Sequence, residues 1–335
     1  MKFWFDITNT PQVHLLIAIL NALDSDENEF KITTRDFAET IKLLEQKTNL
    51  PYEIIGNYEK GNILKKGSKL INRFLETRKT VKDFDVSISC GSESAVWNSF
   101  LKNKKSIAFG DNDLAKQWTY GMFVSHVLFP KSIPTKILTK QGISKKKIYQ
   151  YNGFKEHIYL ADFVPNENFK NDLPFDNYVV VRPENVNANY VRQNKDISIT
   201  AELLKKLTEN GSNVLYLPRY PTDFEFAEGL KNIYIPKSAI NGIDACYFSN
   251  AVFTGAGTLA REAACLGVPS FSFFAGGKLL AVDSDLISQG KMYFSRDASK
   301  LYEHFLKSEK KEADLSVAKG VKKEVMSKLN EFIYE

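Results

Sequence analysis

The chain has 335 residues, 43% hydrophobic and 25% charged, with a formal net charge of +5. That length suits about two domains of ~100–200 residues, each able to bury its own core. The mild positive charge fits an anionic ligand or an acidic membrane surface, and no nucleic-acid-binding module accompanies it. Cys90, Cys246 and Cys265 have neither metal-ligand spacing nor the density of a disulfide framework, so a reducing cytoplasm is expected. MKFWFDITNT has no signal-peptide core, and no run approaches the ~18 apolar residues of a membrane span.

In chain order, Lys2–Asp6 (KFWFD) reads as a strand ending in an acid. Thr10 and Pro11 form an N-cap and N1 pair that opens a helix over Val13–Leu23. Strands are expected at Phe30–Thr34 and Tyr52–Ile55, with a helix over Asp36–Thr48 between them and a basic helical stretch from Lys60 to Phe84. Asp85–Ser89 and Ser106–Phe109 read as strands around a helix begun by GSESAVWNSFL, and Val124–Pro130 as another strand. The segment KQGISKKKIYQYNGFKEH reads as a long connection, with the domain junction between Tyr159 and Asn177. In the second half, strands at Asn177–Val181, Asn213–Leu217, Ile233–Ile235, Ala251–Thr254 and Pro269–Phe273 are expected. Helices over Ile197–Asn210, Ala239–Ser249 and Leu259–Leu266 alternate with them, and Val317, Val321, Val325, Leu329 and Phe332 share one face of a C-terminal helix.

Repeated strand–helix–strand units need crossovers, and crossovers make parallel sheets. The expected fold class is therefore α/β, with two doubly wound, Rossmann-like domains facing a cleft and ligands beyond the carboxyl ends of the strands. The boundaries are 1–165 for an acceptor domain, 166–312 for a nucleotide-sugar-binding domain, and 313–335 for the terminal helix.

One segment carries the strongest chemical signal: TGAGTLAREAACLGVPSFSFF, Thr254 to Phe274. A strand, a small-residue turn and a helix follow one another, so Gly255, Ala256 and Gly257 let backbone approach a bulky group at a helix start. Free N–H groups and the helix dipole favour an anion there, and Thr258 can add a hydroxyl. No Lys-Ser/Thr follows, so this is not a Walker A loop, and the glycine spacing is not GxGxxG. Glu262 lies about one turn below Thr258. It can accept hydrogen bonds from the vicinal hydroxyls of a ribose whose diphosphate sits on the turn, or it can pair with Arg261 or Lys278 at the surface.

This segment resembles the nucleotide-binding stretch of GT-B-fold enzymes, above all the bacterial UDP-N-acetylglucosamine 2-epimerases, whose motif runs T-D-S-G-G-x-x-E-E-A and then L-G-x-P. The resemblance gives Ala256, Gly257 and Thr258 the phosphate-loop places and Glu262 that of the ribose-binding glutamate, with Leu266–Pro269 matching LGxP. From KFWFDITNTPQVHLL through YNGFKEHIYL to VVVRPE, the chain further resembles a largely archaeal family of unknown function in this superfamily. As in such relatives, the C-terminal helix is expected to pack back on the first domain.

The acid/base set of the epimerases is only partly retained. Where they have H-G-D-T this chain has SCGSES, so Ser92 replaces the acid and Glu93 follows; Asp111 in FGDNDL matches their next acidic position. Val181-Arg182-Pro183-Glu184-Asn185 stands at H-R-R-E-N, keeping Arg182 and Glu184 but not the histidine. The resemblance therefore implies a nucleotide grip without the epimerisation set. That pattern suits a glycosyltransferase, which needs a base and positive charge on the departing diphosphate.

His14, in the loop-to-helix segment after the first strand, is the candidate base, with Asp111 as the reserve; peptidoglycan-type N-acetylglucosaminyltransferases place a histidine similarly. Arg182 and Arg219 follow second-domain strands and can hold diphosphate oxygens, or pair with Glu184 and Asp223. Lys278 and Asp283 are candidate donor-sugar contacts, and Asp6, Ser92 and Glu93 lie on the acceptor side. The nearest thing to a metal-binding D-x-D triplet, Asp111-Asn112-Asp113, reads as solvated or acceptor-facing carboxylates, and no metal or other cofactor is expected, the nucleotide-sugar, a UDP-sugar by resemblance, being the substrate. The basic run from Lys60 to Lys82 is either a solvated helix face or a rest on anionic lipid, the latter suiting a lipid-linked acceptor and a peripheral place on the inner membrane face. The expectation is a cytoplasmic glycosyltransferase; an epimerase-like isomerase and a non-catalytic sugar-nucleotide sensor are its rivals.

Overall fold

Two parallel sheets organise the computed structural model, which describes residues 1–37, 39–57, 63–184 and 198–335, with the side chains of 63–66 excluded. Contacts divide the chain into two compact units, Met1–Ala161 with Val317–Glu335, and Asp162–Ser316.

The first unit begins β1 (Lys2–Ile7), α1 (Thr10–Leu23), β2 (Glu29–Asp36), α2 (Thr40–Lys47), β3 (Tyr52–Asn57), α3 (Ile63–Thr80) and β4 (Val86–Ser89). It continues α4 (Glu93–Leu101), β5 (Lys105–Phe109), α5 (Trp118–Gly121), β6 (His126–Pro130), α6 (Thr135–Lys140), β7 (Ile148–Tyr151) and α7 (Lys155–Leu160). The second unit runs β8 (Val179–Arg182), α8 (Thr200–Glu209), β9 (Val214–Tyr216), β10 (Ile233–Tyr234), α9 (Gly242–Phe248), β11 (Ala251–Thr254) and α10 (Gly257–Cys265). Then come β12 (Ser270–Ser272), α11 (Ala281–Ser288), β13 (Tyr293–Phe294), α12 (Ala298–Phe305) and α13 (Ser316–Tyr334), the last belonging to the first unit.

Strand order is β3-β2-β1-β4-β5-β6-β7 in the first sheet and β10-β9-β8-β11-β12-β13 in the second. In each, the chain winds outward from one central strand and then returns to its other side. The switch points therefore lie between β1 and β4 and between β8 and β11, where crevices open beyond the strand ends. The central strands are buried on both faces, as helices on each side require, with Asp6 in β1 and Ser87 and Ser89 in β4 among their interior side chains. Trp4 packs with Val81, Phe84 and Ala95 while its indole N–H donates to Thr33 Oγ1 at 2.8 Å. In the second unit, Val179, Val181, Phe253 and Phe271 meet Leu203, Leu207 and Leu301 in one core.

Several boundaries differ from the sequence expectation. β2 runs on through Asp36, which pairs with Asn57, so the helix expected over Asp36–Thr48 shrinks to α2; sheet pairing overrides the helical preference of its first turn. The expected long connection, which starts at the last residue of α6, holds β7 and the first turn of α7, each too short to show a period. The helix expected from Leu259 begins two residues earlier, which puts Gly257 and Thr258 inside its first turn. The start of the helix expected from Ile197, and that of the basic stretch from Lys60, lie outside the described residues.

Candidate functional site

At the second unit's switch point, the ends of β8 and β11 are tied by the Gly255 amide, which donates to Arg182 O at 3.0 Å. A Cβ on Gly255 would stand 2.5 Å from Glu184 Cα, so only glycine lets the two loops touch. The Ala256 amide then donates to Thr254 Oγ1, and Ala256 takes the N-cap of α10 in extended conformation. Alanine has no side-chain acceptor, and α10 has no side-chain cap. An anion accepting from its first-turn amides would supply the missing partner and meet the positive end of the dipole. Ala256, Gly257 and Thr258 are all half-buried at this mouth.

Glu262 is 5% exposed, so it is not a surface charge. Arg182 on β8 and Glu262 on α10 both act on Cys246 of α9, whose thiol burial pushes far up; Glu262 adds to that rise and Arg182 opposes it. The charges of Arg182 and Glu262 are thus both felt at Cys246. The Arg261 guanidinium turns to Asp283, at 2.9 Å with both side chains 4% exposed. Asp283 is therefore not open to a donor sugar: the buried pair pins α11 to α10, as an uncompensated interior charge would otherwise be costly. Lys278 remains exposed in the loop before it.

Arg219 is half-buried, and its Nε donates to Pro183 O at 3.2 Å, which brings it to the same loop. Asp223 accepts from the amides of Arg219 and Tyr220. Glu184 is buried and accepts from Ser198 Oγ, the Ile199 amide and Thr200 Oγ1, fixing the start of α8, and from Arg296 Nη1 at 2.7 Å. Arg296 also donates to Phe273 O, so it links the ends of β8 and β12. Sequence reasoning missed Arg296; it follows the two-residue β13, too short to leave a pattern.

In the first unit, Asp6 at the end of β1 is fully buried. It receives Arg73 Nη1 and Nη2 at 2.8 and 2.6 Å, Thr33 Oγ1 at 2.7 Å, and a short hydrogen bond from Ser92. Ser92 also caps α4 by accepting from the Ala95 amide. Burial alone would raise the Asp6 pKa, but the Arg73 charge and these hydrogen bonds hold it below the usual carboxylate range. Asp6 and Ser92 were expected on the acceptor side; the structure instead commits them to the sheet interior. Arg73, in the basic run read as either a solvated face or a rest on anionic lipid, is instead the buried counter-charge. Glu93, half-buried, accepts from Thr119 Oγ1 at 3.0 Å.

His14, on the first turns of α1, stacks on Tyr159 of α7 with centroids 5.4 Å apart. Burial, with a smaller push from the Lys47 charge, lowers its pKa to about 4, so the imidazole is neutral at pH 7. Lys155, one turn before Tyr159 on α7, places Nζ 2.6 Å from Asp111 Oδ2 and 4.0 Å from Glu156 Oε1. Burial pushes the nearby Cys90 thiol up to about 12, against the pull of Lys155 and with a push from Asp111. One side of α7 therefore gathers both candidate bases. Lys155 was not singled out from sequence, since it lies in the stretch read as a connection.

A family model described as "Protein of unknown function (DUF354)" matches residues 1–333. An uncharacterised protein of Methanocaldococcus jannaschii is 25% identical over 325 residues, covering 90% of this chain and 89% of its own. Among solved structures, the UDP-GlcNAc 2-epimerase of M. jannaschii in complex with UDP-GlcNAc and UDP superposes with a TM-score of 0.73 at 16% identity, over 98% of this chain and all of that one. The glycotransferase of kitacinnamycin superposes at 0.62 with 9% identity, over 99% of both chains. At these identities the likeness establishes the fold, two parallel-sheet α/β units of the GT-B type.

Proposed function

The chain belongs to the DUF354 family, and from that premise we propose that it is a glycosyltransferase that takes its sugar from a nucleotide-sugar, a UDP-sugar, without a metal. The observation that carries this reading is α10: a helix with no side-chain cap at the β8/β11 switch point, with Glu262 buried one turn in. The diphosphate would take the first-turn amides and Thr258, and the ribose hydroxyls would donate to Glu262. Arg182 and Arg219, brought to the same pair of loops, would neutralise the diphosphate as it leaves. The likeness to an epimerase solved in complex with UDP-GlcNAc and UDP supports this choice of donor.

The acceptor hydroxyl gives its proton to the neutral imidazole of His14 as its oxygen bonds to the anomeric carbon. The bond from that carbon to the diphosphate breaks with its electron pair, and the nucleoside diphosphate departs. A pKa of about 4 makes His14 a weak base that is unprotonated throughout the physiological range. Asp111, ion-paired with Lys155, is the reserve.

Thermal shift with a panel of nucleotides and nucleotide-sugars tests the reading. A ligand at a hundredfold excess over its dissociation constant adds ~2.7 kcal/mol of stability, which melting detects. UDP or a UDP-sugar is expected to shift the wild type, and Glu262→Ala to lose most of that shift. If no nucleotide moves the wild type, the reading fails.

The full-length likeness to an epimerase favours one second reading, an isomerase with a rearranged acid/base set. Incubation with UDP-N-acetylglucosamine in deuterated water separates the two: deuterium at C2 without any acceptor supports the isomerase and sinks the transferase.

A further inference from the structure

The first unit carries an apolar surface that its own fold leaves uncovered. Ile71 and Leu75 on α3, Phe100 and Leu101 at the end of α4, and Trp118 and Met122 around α5 are each between 47% and 64% exposed. Interior contacts set these helices side by side. Phe74 meets Trp97 edge-on at 5.9 Å, and Asn98 Nδ2 donates to Phe74 O, joining α3 to α4. Trp97 Nε1 donates to Thr119 O, and Phe100 packs on Phe123 at 5.1 Å, joining α4 to α5. Scattered exposed apolar residues are ordinary; a cluster on three adjoining helices marks an interaction surface.

Charge identifies the occupant. Arg78, Lys79 and Lys82, at and just beyond the end of α3, are exposed, as is Lys116 two residues before Trp118. The Lys102 and Lys147 ammonium groups bond the carbonyls of Lys82 and Met122, at 2.8 and 3.1 Å, and so stand at the edge of the same face. Glu76 is the sole acid in α3, and Glu93 is engaged by Thr119. A two-fold contact with another copy would set this basic surface against itself. A bilayer with acidic headgroups neutralises it, and an exposed tryptophan beside lysines suits the headgroup region, where aromatic rings settle.

We propose that the outer face of α3, α4 and α5 docks the first unit on an anionic lipid bilayer. Trp118, Met122, Phe100 and Leu101 enter the headgroup layer, while Arg78, Lys79, Lys82 and Lys116 meet the lipid phosphates. Binding needs no nucleotide, so this inference stands or falls separately from the donor reading.

The test is co-sedimentation of the full chain with vesicles of phosphatidylcholine alone and of phosphatidylcholine mixed with phosphatidylglycerol. The protein is expected to pellet with the mixed vesicles only and to be released by salt. R78E/K79E is expected to weaken partitioning by about tenfold or more. W118S/M122S is expected to weaken it as strongly, and V164S, an exposed apolar change in the second unit, to leave it unaltered; circular dichroism and melting show that each variant is folded. Failure to bind mixed vesicles, or equal binding to both kinds, overturns the proposal. So does a dimer that W118S/M122S dissolves in the absence of vesicle binding, which would assign the face to a second copy.

Discussion

Gly255 is required because two strand ends meet there. Gly255→Ala would press a methyl onto the Glu184 backbone, and overpacking of that kind costs about 1–3 kcal/mol. Urea denaturation should show this loss, while Gly277→Ala, with nothing within 4 Å of the added carbon, should be silent. Asp6→Asn leaves Arg73 interior against a neutral partner, a change expected to cost about 3–5 kcal/mol, with part recovered in the double variant D6N/R73M. Because the folded pKa of Asp6 is depressed, its ion pair contributes fully above the unfolded value of ~3.9 and is lost as pH falls through the folded one. His14 acts in the same direction at higher pH. Its pKa is about 4 when folded against ~6.5 unfolded, so stability is complete above ~6.5, declines as pH drops toward 4, and then levels off. His14→Gln is expected to flatten the pH dependence of the denaturation midpoint in that window; an unchanged slope would contradict the buried, neutral imidazole.

Among the elements, α10 matters most to the proposed site, since its start at Gly257 puts the turn residues and Glu262 on one short helix whose orientation the Arg261–Asp283 pair secures. At the other end of the chain, α13 returns to the first unit. Val321, Val325, Leu329 and Phe332 are buried, Phe332 stacks on His126 at 3.9 Å, and Glu324 accepts from Tyr149. Leu329→Ala is expected to cost about 2–5 kcal/mol. Faster amide exchange in β6 and β7 should accompany that loss, with exchange in the second unit unchanged. The apolar stripe of α13 was plain in the sequence because apolar positions recur at helical spacing over a long segment; four of the five expected positions are buried, and Val317, in its first turn, is 49% exposed. By contrast, α7 has six residues and no room for such a repeat, yet it carries Lys155 and Tyr159, which gather the candidate groups of the first unit.

For the molecule as a whole, donor binding should be a local event in the second unit. Hydrogen exchange with saturating UDP is expected to slow around residues 182–184 and 254–262 and to leave the β1–β4 region unaltered; protection confined to the first unit would refute the assignment of the nucleotide grip. By itself the sequence determined the α/β class, the two-unit organisation and the small-residue turn before α10. Hydrophobic strands alternating with amphipathic helices admit few arrangements, and a glycine turn between strand and helix is a local feature of the chain. Only the tertiary structure decided which charges face inward. Asp6 and Arg73 are 67 positions apart, Glu184 and Arg296 are 112 apart, and Lys155 on α7 reaches Asp111 in the loop after β5. Such pairs leave no local pattern, because they are created by strand order and not by spacing along the chain.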